Sequence, residues 1–467
     1  MKKKELTPEQ LQKQKEKDEK EVEKWLKVKT EPKKANYFFI LMIVLTVIYV
    51  VDEITSNINS SMQPQILFDF FNITSKDVND PLYSEAINTL AISGAITGAF
   101  FVLTPFYKSL CDKYGRRLFL AINTCVFGLG MLVIMLAPNI YGYMIGVIML
   151  SFVTPNDVQV MYIMETAPKE HRAKLCSITK AIALVSVSLI GVLRRIFLND
   201  SLSSWRMVYL IPVIVAIAVG AASIFFVKET PVFIDNRIKE LSGEKEDEPI
   251  AEDANGGVVQ AFKFILKHKQ IKYVAIAAFI FFASTVYTSY YTTIMEGGTL
   301  TTEQVTTALI VYPFFNGIVT FFSGFLSDKM GRKKSSLILG TFAMVLLAGF
   351  ILSVKLGWGP IATGICYGAS IGGLWSVSDT LFITIPGESV PTNIRASIVG
   401  TISLLGGLGM VVGMVIVVVG QNFFDMGWLN FAVCVPFMAL SLWIMATKVA
   451  ETKDVDLDTV TGAEWDD

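Results

Sequence analysis

CDKYGRR, residues 111–117, returns as SDKMGRK at residues 327–333, 216 positions later. ETAPKEHRA (165–173) returns as ESVPTNIRA (388–396) after 223 positions, and KET (228–230) as AET (450–452) after 222. Three pairs of marks at nearly one offset are the signature of an internal repeat. Each member of a pair stands beside the same apolar run in its half, so the duplicated unit holds six such runs.

Those runs set the class of protein. The 467-residue chain is 52% hydrophobic and 17% charged, with a mean hydropathy of +0.52. Twelve apolar stretches, the first at 37–60 and the last at 426–447, approach or exceed the roughly 20 residues that cross a bilayer. Twelve are too many for the buried helices of one soluble core. The expected fold is therefore an all-α membrane protein with twelve transmembrane helices in two repeated six-helix bundles. The expected boundaries are a tail at 1–35, bundles at 36–227 and 271–447 around a linker with short helices at 228–270, and a tail at 448–467. In the first tail, Thr7, Pro8 and Gln10 read as the start of a helix that is solvated or disordered. FKFILKHK in the linker mixes apolar and basic residues as a membrane-surface helix does.

Net charge is −1, so global charge says little about partners. Its distribution says more. Twelve of the 40 Lys and Arg precede the first run, and most others fall in even-numbered gaps. Lys76, Arg194, Arg195, Arg206 and Lys355 fall on the other side. The positive-inside rule then places both termini in the cytoplasm, and the expected location is the plasma (cytoplasmic) membrane, crossed many times. Cys111, Cys125, Cys176, Cys366 and Cys434 form no C-x-x-C pair, and His171 and His268 are isolated. No metal site, cofactor or nucleic-acid partner is expected, nor a nucleophile–base pair within the runs. The expected protein is not an enzyme.

A duplicated helical bundle with a site at its internal interface is transporter architecture. The marks also resemble a known family. Asp112-Lys113-Tyr114-Gly115-Arg116-Arg117 and its second copy, Asp328-Lys329-Met330-Gly331-Arg332-Lys333, are similar to the D-[RK]-x-G-R-[RK] signature of the major facilitator superfamily. Glu165 with Arg172, and Glu388 with Arg395, resemble the E-x6-R marks of its sugar-porter-like branch. Glu229-Thr230-Pro231 and Glu451-Thr452-Lys453 resemble the P-E-S-P and P-E-T-K-G motifs. The resemblance implies a cytoplasmic gate built from Asp112, Gly115, Arg116, Glu165, Arg172, Asp328, Gly331, Arg332, Glu388 and Arg395. Gly115 and Gly331 permit tight turns, and the charges are expected to pair across the two halves.

Charged residues inside membrane runs are functional candidates. They are Asp52, Glu53, Asp157, Lys180 and Asp379. Asp52 and Glu53 point about 100° apart on a helix. Asp52 shares its register with Ser56, Asn59 and Gln63, and Glu53 with Asn57 and Ser60, so both stripes of the first run are polar. The resemblance adds roles. Asp52 falls where many sugar porters carry a proton-accepting aspartate, although the arginine that answers it in the fourth run is absent. Lys180 stands where those porters place a sugar-binding glutamine. Tyr290 and Tyr291 resemble their tyrosine pair, and Asn316 matches an asparagine of the eighth run. Other sugar ligands are replaced by Ile280, Phe281, Val286 and Ile383. Trp375 and Asp379 lie one helical turn apart, nearer the middle of the tenth run.

The expected function is secondary active transport of a small charged organic solute, an anion or a zwitterion, by alternating access. Protons are the expected coupling ion, the bilayer the surroundings and a monomer the working unit. A sugar or polyol proton symporter with an altered site is the alternative. A non-transporting receptor on the same fold is the third reading, and the short tail after Thr447 argues against it.

Overall fold

A peptide group in lipid must find its hydrogen-bond partner within the chain, and an apolar run does so locally as a helix. The structure, a computed structural model, describes residues 8–30, 36–73, 81–100, 114–153, 158–168, 172–242, 254–390, 394–421, 423–453 and 455. Helix α1 (Pro8–Thr30) precedes α2 (Tyr37–Phe71), α3 (Pro81–Phe100), α4 (Arg116–Leu136), α5 (Ile140–Val153) and α6 (Val158–Thr166). Next come α7 (Arg172–Ser186), α8 (Ser188–Phe197), α9 (Leu210–Phe226), α10 (Pro231–Leu241) and α11 (Ala254–Lys267). The second half holds α12 (Lys269–Ala283), α13 (Tyr287–Glu296), α14 (Thr302–Met330), α15 (Arg332–Leu356), α16 (Pro360–Asp379), α17 (Arg395–Gly420) and α18 (Met426–Lys448).

Among the described residues, ten helical stretches are long and apolar enough to cross a membrane. The two remaining apolar runs are carried by α3 and α16. α16 is less apolar because it is rich in glycine, and its glycines have a packing reason. A Cβ at Gly364 would lie 2.9 Å from the Ala308 carbonyl oxygen, at Gly368 2.1 Å from that of Tyr312, and at Gly372 2.9 Å from that of Asn316. Both series advance four residues at a time, so one bare stripe of α16 rides along the backbone of α14. This is the small-residue contact that membrane helices use in place of a hydrophobic driving force. Gly368→Ala should therefore force the two helices apart and cost about 1–3 kcal/mol. Thermal unfolding in detergent should show the loss; an unchanged midpoint would contradict the contact.

The two halves meet along α2 with α13, α8 with α14, and α3 with α17. Gly191 allows the second of these contacts, since a Cβ there would lie 3.0 Å from the Ile310 nitrogen and 3.1 Å from the Thr306 oxygen. Two spans of the second half are interrupted. Ser284–Val286 form a 3-10 turn before α13, and their hydroxyls at Ser284 and Thr285 donate to Phe281 O and Phe282 O. Such back-bonding competes with the helical ladder and loosens it. A π turn at Thr380–Thr384 follows α16, a kind of irregularity that favours functional positions.

The first tail forms a helix that begins at Pro8. One face of α1 is half-buried and packs on α10. Trp25 meets Phe233 edge-on at 5.7 Å, Glu21 pairs with Arg237 at 3.1 Å, and Lys29 with Asp235 at 2.7 Å.

Candidate functional site

The three repeated marks, far apart in sequence, converge twice in space. Gly115 and Gly331 have φ of +107° and +95°, a backbone that favours glycine. Each turn exposes the first amides of the following helix, and a carboxylate from the end of its own half caps them. Glu229 accepts from the Arg116 and Arg117 amides at 3.0 and 3.2 Å, and Glu451 from those of Arg332 and Lys333 at 2.7 and 3.1 Å. An anion at a helix N-terminus is stabilised by both the amides and the dipole. Burial nevertheless pushes the Glu229 carboxyl above its ordinary range, against those amides. The arginines reach sideways: Arg116 to Glu165 at 3.1 Å, Arg332 to Glu388 at 3.1 Å. Thr230 and Thr452 donate to the same glutamates at 2.5 and 2.6 Å. Asp328 adds a pair with Arg332 at 2.9 Å, and Arg395 donates to the Val390 carbonyl at 3.4 Å.

This rim departs from expectation in one respect. The described pairs close within each half rather than across the halves, because Glu165 and Glu388 are neighbours of the arginines in their own repeat. Each cluster therefore ties the helices of one half together at what we term the motif end. Asp112 and Asp157 and the side chain of Arg172 lie outside the described residues.

Between the halves, the candidate residues form layers. Nearest the motif end, Lys180 on α7 pairs with Asp379 at the end of α16, Nζ to Oδ2 3.5 Å. The side chains are 40% and 55% exposed, and the pair joins the two halves. Trp375, one turn before Asp379, is also partly exposed and stands edge-on to Phe282 at 6.2 Å. The π turn begins right after Asp379 and separates it from the rest of its span.

In the next layer the two adjacent acids of α2 part company. Asp52 is 5% exposed and turns into the first half, where Gln159 of α6 donates to it at 2.7 Å. The Glu53 stripe turns to the second half instead. Tyr312 donates to Asn57 at 3.5 Å, Thr292 donates to the Ser60 carbonyl, and Ser61 and Tyr291 share a 2.6 Å hydrogen bond. Tyr291 stacks on Tyr367 at 4.6 Å, with Tyr312 edge-on to both. Tyr290 is buried beside it, and Asn316, also buried, accepts from Thr320 at 3.2 Å. Tyr291 thus belongs to a packed aromatic layer, and Tyr290 is buried, so neither lies on an open cavity wall.

Beyond this layer the end away from the motifs is sealed. Thr293 donates to Gln63 at 2.7 Å. Arg194, fully buried, pairs with Glu296 at 3.1 Å, and Gln65 contacts both. Sequence reasoning passed over these three residues. Arg194 was counted with the loop cations although it lies inside the fifth run, and Glu296 falls one position past the seventh run. The cost of a charge within a membrane run was the signal available for Arg194.

The Major Facilitator Superfamily model matches residues 12–414. Solute carrier family 2, facilitated glucose transporter member 12 of Mus musculus is 27% identical over 160 residues. That match covers 33% of this chain, and the chain spans about a quarter (25%) of the relative's length. Among solved structures, the inward open xylose transporter XylE from E. coli has a TM-score of 0.67 at 17% identity, over 90% of this chain and 98% of that one. A D-xylose-proton symporter gives 0.62 at 16%, over 89% and 99%. A bacterial homologue of the human lysosomal transporter Spinster, inward-facing and unoccupied, gives 0.57 at 15%, over 89% and 96%. At these identities the structural likeness speaks for the fold alone.

Proposed function

Because the chain belongs to the major facilitator superfamily, and so is a multi-pass membrane transporter, we propose that it moves a small charged organic solute by proton-coupled alternating access. The observation that carries this reading is the Lys180–Asp379 pair. It links the halves, is partly exposed, and stands beside Trp375 and a π turn. A solute carboxylate can replace Asp379 at Lys180, and a solute ammonium can take Asp379, so a zwitterion satisfies both charges when it parts them. The indole of Trp375 offers an apolar wall for the solute body. Asp52 is the proton acceptor in this reading. It is a carboxylate inside a membrane span, 5% exposed, that accepts a hydrogen bond from Gln159. In this reading the motif end is cytoplasmic, which the Lys and Arg bias supports, and the plasma membrane is the proposed location.

A sugar or polyol proton symporter is the second reading. Asn316 and the likeness to a D-xylose-proton symporter favour it. Ile280, Phe281 and Val286, which cannot hydrogen-bond a hydroxyl through their side chains, oppose it.

Thermal stabilisation by ligand separates the two. A solute present at 100 times its Kd stabilises by about 2.7 kcal/mol. Anionic or zwitterionic solutes should raise the melting temperature of the wild type and raise it much less, with about a third as much stabilisation, for Lys180→Gln. Stabilisation by neutral sugars alone would overturn the reading.

A further inference from the structure

The end away from the motifs holds an ion pair that the proposed transport site does not use. Arg194 is on α8 in the first half and Glu296 closes α13 in the second; their side chains are 0% and 2% exposed. The guanidinium is hydrogen-bonded from both halves. Nε donates to Thr306, Nη1 to the Ser61 carbonyl and to Gln65 at 3.0 Å, and Nη2 to Glu296 at 3.1 Å. Gln65 closes the triangle by donating to the same Glu296 oxygen at 2.6 Å. Gly191, one turn earlier on α8, allows the close approach that brings the arginine in. Behind Glu296 lies a small cavity lined also by Pro64, Leu67, Phe68, Tyr83 and Thr293.

We propose that Arg194, Gln65 and Glu296 form an ionic gate that holds this end shut and must separate once per transport cycle. The proposal rests on the alternating-access reading above. α2, α8, α13 and α14 all meet at this cluster, so the far end cannot open without breaking it. The chemistry suits a gate rather than a permanent seal. A buried pair has lost the hydration of both ions, and its mutual attraction repays that loss only in part. When the gate opens, both ions return to water, so the open state recovers what burial removed. An apolar pair of similar volume has no such return and favours the shut state, whereas removing one charge leaves the other buried and uncompensated, which favours opening. The two kinds of substitution should therefore act in opposite directions.

The test uses full-length protein in sealed vesicles that expose the far face, with Asn57→Cys as the reporter and the five native cysteines as the measured background. Asn57 lies on the gate's inner side, facing Tyr312. Labelling by a membrane-impermeant thiol reagent should rise about tenfold in Glu296→Gln. It should fall about tenfold in the apolar pair Arg194→Met with Glu296→Leu, together with the rate of solute exchange. Unchanged or faster labelling in the apolar pair overturns the gate, and so does unchanged labelling in Glu296→Gln. The apolar pair decides alone if the single variant does not fold. Labelling that shifts as expected without any solute flux would keep the gate and reject the solute reading. Flux with labelling indifferent to both variants would do the reverse.

Discussion

Replacing Lys180 by glutamine should raise the KM for an anionic or zwitterionic solute roughly 30-fold while leaving neutral solutes within about twofold. A hydrogen bond to a charged group contributes about 1.5–3 kcal/mol, and each 1.4 kcal/mol is a factor of ten. Lys180 is only partly screened, being 40% exposed, and pairs with Asp379 at 3.5 Å. A bound solute must compete with that carboxylate, so Asp379→Asn carries independent information. For an anion, removing the competitor should lower the KM. For a zwitterion, it removes the partner of the ammonium group and should raise the KM by a similar factor. Initial rates of labelled-solute uptake by the two variants thus decide the solute's charge class. Equal losses for charged and neutral solutes in Lys180→Gln would remove Lys180 from the site.

Replacing Asp52 by asparagine should abolish accumulation driven by a pH gradient and leave solute exchange in place. One pH unit corresponds to 1.36 kcal/mol, so one-to-one proton coupling supports about tenfold accumulation per unit, and the variant should fall to about onefold. Asparagine keeps the shape and can still accept from Gln159, which at present donates at 2.7 Å. Packing is therefore spared and the proton site is lost. Glu53→Gln provides the contrast. Glu53 belongs to the stripe that faces the second half, so its replacement should alter KM more than coupling. Retained pH-driven accumulation in Asp52→Asn would move the proton site elsewhere.

The repeat was the most legible feature of the sequence, because its marks serve backbone geometry that tolerates little change. A positive φ wants glycine, exposed amides want a carboxylate, and an arginine needs a glutamate in reach. Gly115, Arg116, Glu165 and Glu229 meet all three needs, and Gly331, Arg332, Glu388 and Glu451 repeat them. The direction of the ion pairs was not legible. Spacing alone does not say whether Glu165 answers an arginine of its own half or of the other. Helical periodicity separated Asp52 from Glu53, but Gln63, placed in the Asp52 register, meets Thr293 of the second half, and periodicity could not tell which acid faced the partner half, since both stripes are polar. The far-end cluster was missed for a similar reason. Arg194 and Glu296 sit at the ends of their runs, where a snorkelling charge is ordinary, and 102 residues separate them. Packing of α8 on α14 through Gly191 is what turns an ordinary end charge into a buried pair.

Uptake by purified protein in proteoliposomes, with and without an inward pH gradient, tests the central claim most directly. The panel should contain anionic, zwitterionic and neutral solutes of similar size, with Lys180→Gln as the paired control. Saturable uptake of a charged solute, enhanced by the gradient and lost in the variant, is the predicted result. Uptake confined to neutral sugars, or no flux of any solute, would contradict it.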